Sequence, residues 1–183
     1  MNALLISNGR VIDGTGAAPR EESVLIEGER IVAVGAAAER RAAGRRDLTR
    51  IDARGLTVMP GLIDGHCHIS FDEPNSNDEL FFHRRHGLAA IVAAQNARKV
   101  LQSGVTGIMD ADSIFELGVD LRDAIEAGIV DGPRISAGAY ALWTSVGGTA
   151  GRLIPDRGIM GYGKVVSGDA EIVARSEEHT SEL

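Results

Sequence analysis

A single cysteine, Cys67, is all the thiol chemistry that this 183-residue chain holds. No internal disulfide can form, so the fold needs no oxidising compartment. Long hydrophobic runs are missing as well. Nothing approaches the roughly 20 apolar residues of a membrane span, and the first ten residues lack the basic start and the apolar length of a secretory signal. These absences predict a cytoplasmic protein with no membrane association. Positive charge is scarce too: 19 lysines and arginines face 26 acidic residues, a formal charge of −7 without long runs of one sign. That balance argues against a nucleic-acid-binding surface and leaves small or neutral molecules as the expected partners. What is present, 44% apolar and 25% charged residues, is the composition of a chain that folds around a core.

The last nine residues, Arg175 to Leu183, match the translation of a common sequencing-library adapter. They are therefore expected to be foreign to the natural protein and to its fold, and His179 with them is not a site candidate. The natural sequence would then stop near Ala174, with a C-terminal remainder missing.

The first 56 residues read as short strands separated by turns. Leu4 to Ile6 and Val11-Ile12 flank Asn8-Gly9, Ser23 to Glu27 and Arg30 to Val34 flank Gly28-Glu29, and Arg50 to Asp52 and Leu56 to Met59 flank Arg54-Gly55. The first two are hairpin signatures. Ala36 to Arg46, rich in alanine and arginine without an apolar stripe, predicts a solvated loop or short helix. From about Thr57 the pattern alternates strand and helix. Leu62 to Ile69 predicts a buried strand. A helix with Ala90, Ala93, Ala94, Ala97, Val100 and Leu101 on one face ends at Gly104, and Val105 to Met109 is the next strand. Asp120 would cap a helix ended by Gly128, and Pro133 to Ala139 is a third strand. Alternation of this kind implies βαβ units and a parallel sheet. A (β/α)8 barrel needs about 250 residues, so residues 57–174 hold only its first three to four units. No other repeat and no low-complexity tract occurs.

The chemistry is concentrated in Pro60-Gly61-Leu62-Ile63-Asp64-Gly65-His66-Cys67-His68. Side chains alternate along a strand, so Asp64, His66 and His68 share one face and Cys67 points to the other. Two imidazoles at i and i+2 can tilt onto one metal ion, and Asp64 is placed to orient a ligand from behind. An isolated His-x-His also occurs on ordinary half-exposed strands. Here, however, the pair falls at the C-terminal end of a first barrel strand, where barrel enzymes build their sites. Cys67 is expected to be a packed thiol. Gly158 to Lys164 has the spacing of a phosphate loop, but Val165 stands where the Mg²⁺-binding hydroxyl belongs, which argues against nucleotide binding.

A β-rich start that ends in this histidine motif resembles the amidohydrolase superfamily, whose first barrel strand carries such a pair. The later run Gly104-Val105-Thr106-Gly107-Ile108-Met109-Asp110, with Leu121 to Ile125, Gly132-Pro133-Arg134-Ile135 and Gly138, is similar to the branch of imidazolonepropionase-like enzymes and metal-dependent Xaa-Pro and Xaa-Arg/Lys dipeptidases. The resemblance covers nearly all of residues 3–174. It departs from that branch at Thr106-Gly107-Ile108-Met109-Asp110, where relatives often have Thr-Thr-Val-Arg-Asp, and at Gly147-Gly148-Thr149-Ala150-Gly151, where they often have Gly-Gly-His-Gly. The substrate is therefore not carried over.

The resemblance implies an α/β fold: the N-terminal part of a (β/α)8 TIM barrel (57–174) preceded by a small β-sandwich unit (1–56). It implies one or two divalent ions, typically Zn²⁺, with His66 and His68 as the ligands this chain supplies and Asp64 behind them. A carboxylated lysine or a glutamate, two more histidines and the proton-handling aspartate would come from later strands, so the catalytic residue is unknown here. Lys164, the one late lysine, stands in a Gly-rich loop rather than at a strand end. Asp110 could support the site from behind or serve as a helix cap or in a turn, and His83 and His86 are expected in a polar loop, solvated or near the substrate. Residues 140–151, with Trp143, are where substrate contacts, packing or a lid would be sought. The implied activity is hydrolysis of a C–N bond in a small cyclic amide or dipeptide, with the chain alone inactive. A mononuclear deaminase and a non-catalytic barrel homologue remain as alternatives, and the oligomeric state is open, a homo-oligomer included.

Overall fold

The computed structural model describes residues 3–72, 74–76, 79–138, 140–144 and 163–177. The chain divides into two compact units, Met1–Pro60 and Gly61–Leu183.

In the first unit, strands β1 (Ala3–Val11), β2 (Arg20–Glu27), β3 (Arg30–Val34), β4 (Leu48–Asp52) and β5 (Thr57–Val58) form one mixed sheet, with helix α1 (Ala36–Ala42) between β3 and β4. The order is β3-β2-β1-β4, and β5 also pairs with β1. Gly28, at φ 59°, closes the β2–β3 hairpin as its sequence indicates. Asn8-Gly9 does not make a turn. Asn8 takes φ 58° inside a continuous β1, and the β1–β2 register shifts between Ile6 and Gly9. The segment is a bulge because tertiary contacts claim both residues. The Asn8 amide donates to Asp52 at 2.9 Å, and a Cβ on Gly9 would come within 2.6 Å of Val58. The bulge also divides the partners of β1: residues 3–7 pair in parallel with β4, and Arg10 and Val11 with β5. Helix α1 buries Ala38 and Ala42, one turn apart, against Leu5 and Leu25.

The second unit carries the α/β alternation. Strands β6 (Leu62–Cys67), β7 (Val105–Asp110) and β8 (Arg134–Ala137) form a parallel sheet in that order, connected through α2 (His86–Gln102) and α3 (Leu117–Glu126). A separate parallel pair joins β9 (Ala141–Thr144) to β10 (Gly163–Val166), and α4 (Asp169–Glu177) follows, running across position 174 without a break. Ala93 and Ala97 of α2 pack with Ile69, Ile108, Leu121 and Ile135. Gly132 allows the approach, since a Cβ there would meet Ile125 at 2.4 Å and Ala97 at 3.1 Å.

Several expectations shift. The strand expected to be buried from Leu62 to Ile69 ends at Cys67, and residues 62–66 are exposed, because β6 is an edge of the described sheet. Helix α2 starts at His86, and it buries Ala89, Ala93 and Ala97, so Ala90, expected on the apolar face, is exposed. Helix α3 starts at Leu117, so Asp120 lies in its first turn and does not cap it. The Gly118 N–H is met by Ser113 Oγ at 2.9 Å. The glycine stops are as expected: Gly104 (φ 92°) and Gly128 (φ 69°) follow their helices in the left-handed conformation.

Candidate metal centre

The period-two alternation of β6 carries past its last paired residue. Cys67 packs against the core, and burial, aided by the charges of Asp110 and Asp64, pushes its thiol pKa up. It is a packing residue. His66 and His68 form the opposite pattern, with ring centroids 5.0 Å apart at an interplanar angle of 84°. The His68 ring stacks on Phe71, 4.9 Å away and within 9° of parallel. Its Nδ1 lies 2.9 Å from Asp112 Oδ1 and 3.4 Å from the Asp112 carbonyl oxygen. Asp64 Oδ1 accepts the main-chain N–H of His66 at 3.0 Å, and so fixes backbone rather than ring.

Beneath the pair, the loops that follow β6 and β7 are tied to each other. Asp110, fully buried, accepts the Ile69 N–H at 3.0 Å through Oδ1, and its carbonyl accepts the Gly138 N–H at 2.7 Å. The Ala111 N–H reaches the Cys67 carbonyl at 2.9 Å. Ser70 Oγ, also buried, accepts the Ile114 N–H at 2.8 Å, and the Asn96 amide of α2 donates to the carbonyls of Ile69 (3.1 Å) and Phe71 (2.6 Å). His68 therefore stands on backbone that is held from both sides. Asp110 Oδ2 has no hydrogen-bond partner among the described residues, and burial drives the carboxyl pKa up to about 7. The Ile69 N–H opposes that rise, and the Asp112 charge adds to it.

Among the described residues, no group of three or more His, Cys, Asp or Glu is arranged to hold a metal, so His66 and His68 stand as a pair. His83 ends a short π-helical turn (Glu79–His83), and His86 opens α2 against the Phe115 ring. Lys164 lies in β10 with Nζ 4.2 Å from the Tyr140 ring centroid, a cation–π contact. Within the segment 140–151, Ala141–Thr144 form β9, and 145–151 fall outside the described residues, as does most of the run 158–164. Neither Asp112 nor Asn96 is marked as a site residue by any pattern in the sequence. The first lies 44 positions from its partner His68, and the second belongs to a helix face that reads as solvated.

No protein-family model matches the chain. A dihydroorotase of Streptococcus thermophilus (strain CNRZ 1066) is 41% identical over 80 residues, 44% of this chain and 17% of that protein. Among solved structures, a prolidase complexed with N-methylphosphonate-L-proline is 30% identical with a TM-score of 0.74, over 96% of this chain and 43% of that one. A Xaa-Pro dipeptidase with methionine bound in its active site is 28% identical with a TM-score of 0.71, over 94% and 43%. The chain thus spans less than half the length of each. Sequence likeness to a dihydroorotase and structural likeness to dipeptidases, on a sheet whose first strand leads into the histidine pair, make the chain a member of the amidohydrolase superfamily.

Proposed function

We propose that the protein carrying this chain is a metal-dependent hydrolase of a C–N bond, in a cyclic amide or a dipeptide, with Zn²⁺ as the ion and His66 and His68 as two of its ligands. The observation that carries the proposal is the pair of imidazoles, 5.0 Å apart at the end of β6, over loops held by Asp110 and Asn96. The donors fit a zinc-type ion, for which imidazole nitrogen is a common ligand and a stiff strand end a suitable mount. When bound, such an ion supplies a water of lowered pKa, near about 7, and polarises the scissile carbonyl. His66 and His68 would hold it, while Asp64 steadies the His66 main chain. Catalytic zinc sites take three protein ligands and an open position. The others, with the aspartate that moves the proton, would come from later strands of a (β/α)8 barrel begun by residues 57–174, with residues 1–56 as part of a β-sandwich unit. The 183-residue chain alone would be inactive. The protein would act in the cytoplasm on small molecules or dipeptides.

The names borne by the relatives support this chemistry, a dihydroorotase on one side and a Xaa-Pro dipeptidase on the other. The test is metal analysis of the whole protein, with hydrolysis assays on dihydroorotate and Xaa-Pro dipeptides. Stoichiometric zinc that falls sharply in His66→Ala and His68→Ala, together with turnover of one substrate class, is the expected result. A whole protein that retains no zinc, or retains it undiminished in the double variant, overturns the proposal.

A further inference from the structure

His68 Nδ1 faces two oxygens, Oδ1 of Asp112 at 2.9 Å and the Asp112 carbonyl at 3.4 Å. A carbonyl cannot donate, and a carboxylate only accepts. The hydrogen in that contact must come from the ring, so the neutral imidazole carries its proton on Nδ1 and leaves its lone pair on Nε2. Two further restraints keep the ring there. Its face is stacked on Phe71, 9° from parallel, and the backbone after it is held by Asp110 and Asn96. The pair is also sheltered: the Asp112 side chain is 16% exposed and that of His68 32%. Partial removal from water strengthens such a hydrogen bond. Asp64, the acid nearest in sequence on the same strand face, spends its bond on the His66 main chain.

We propose that Asp112 is the positioning residue of this site: by accepting the Nδ1 hydrogen it sets the tautomer and orientation of His68 and presents Nε2 to a divalent ion. The proposal rests on the reading that His66 and His68 bind metal. The physical cause is general. A ligating imidazole whose second nitrogen donates to a carboxylate is fixed in one tautomer and made more basic, and loss of such a partner weakens metal binding by roughly 10- to 100-fold.

The experiment combines ¹⁵N-histidine NMR of the metal-free protein, above the histidine titration range, with zinc titration against a competing chelator. In the unmodified protein His68 should appear as the Nδ1–H tautomer. Asp112→Ala should release that preference and weaken zinc binding by roughly 10- to 100-fold. Asp112→Asn, whose amide oxygen still accepts, should keep most of both. Finding Nε2–H at His68 in the unmodified protein overturns the proposal before any variant is made, so misfolding of Asp112→Ala cannot shield it. An unchanged tautomer and zinc affinity in Asp112→Ala would overturn it equally. If zinc leaves the His66 and His68 resonances of the unmodified protein untouched while the tautomer still follows Asp112, the metal reading fails and the control of His68 by Asp112 stands.

Discussion

Asp110 shows how much one buried carboxyl can govern. Burial drives its pKa from 3.8 up to about 7, with the Asp112 charge reinforcing the rise and the Ile69 N–H opposing it. Below the ordinary carboxylate range the group is protonated whether the chain is folded or not, and the fold loses nothing. As pH rises from about 4 towards 7 the unfolded chain releases this proton while the folded chain keeps it, so stability falls, by an amount on the order of 4 kcal/mol, and levels off above 7. Urea unfolding across that range should show the slope, and Asp110→Asn should flatten it; an equal slope in the variant would place the titration elsewhere. The neighbouring Gly118 gives a steric counterpart. A Cβ there would stand 2.2 Å from Asp110 Oδ2 and 3.1 Å from the Gly138 carbonyl, so Gly118→Ala should cost about 1–3 kcal/mol. At Gly65, where nothing lies within 4 Å, alanine should stay within about 0.5 kcal/mol of the original. The pair of unfolding curves separates local crowding from a general intolerance of change near the site.

At the scale of elements, α2 does more than cover the sheet. Ala89, Ala93 and Ala97 form its buried stripe, and Asn96 reaches the loop after β6 through the Ile69 and Phe71 carbonyls. Asn96→Ala would leave both carbonyls without this donor. We expect a loss of about 1–3 kcal/mol and faster amide exchange over residues 68–71; unchanged exchange there would remove α2 from the support of His68. Ala93 and Ala97 of that stripe and the stop at Gly104 were legible in the sequence because helix period and left-handed caps are local properties, whereas Ala89 is buried and Ala90, expected on the apolar face, is exposed. The start at His86 was not legible, since the first turn of α2 is largely exposed and carries no side-chain cap. Asn8-Gly9 misled for the same reason in reverse: the dipeptide suits a turn, but Asp52 and Val58, distant in sequence, make it a bulge.

At the scale of the molecule, the three-stranded sheet leaves β6 and β8 as edges among the described residues, and Leu62, Ile63 and Met109 are exposed, Ile63 by 80%. Open strand edges beside apolar side chains favour association. The 183-residue chain should therefore self-associate as its concentration rises, measured by light scattering, and Ile63→Lys should reduce this while leaving the unfolding midpoint nearly unchanged. Association that is indifferent to Ile63→Lys would clear this face.

The sequence by itself determined the α/β alternation, the superfamily and the nearness of His66 and His68 to each other at the end of β6, because each follows from short-range periodicity or a contiguous motif. Tertiary structure decided what surrounds them. Only the folded chain brings Asp112 across 44 positions to His68 Nδ1, sets Asp110 under Ile69 and leaves Asp64 to the His66 backbone. Such pairings depend on which loops meet at the strand ends, and no local pattern of residues encodes that. The histidine pair was written in the order of the residues, whereas the groups that would orient it for a metal were set by packing.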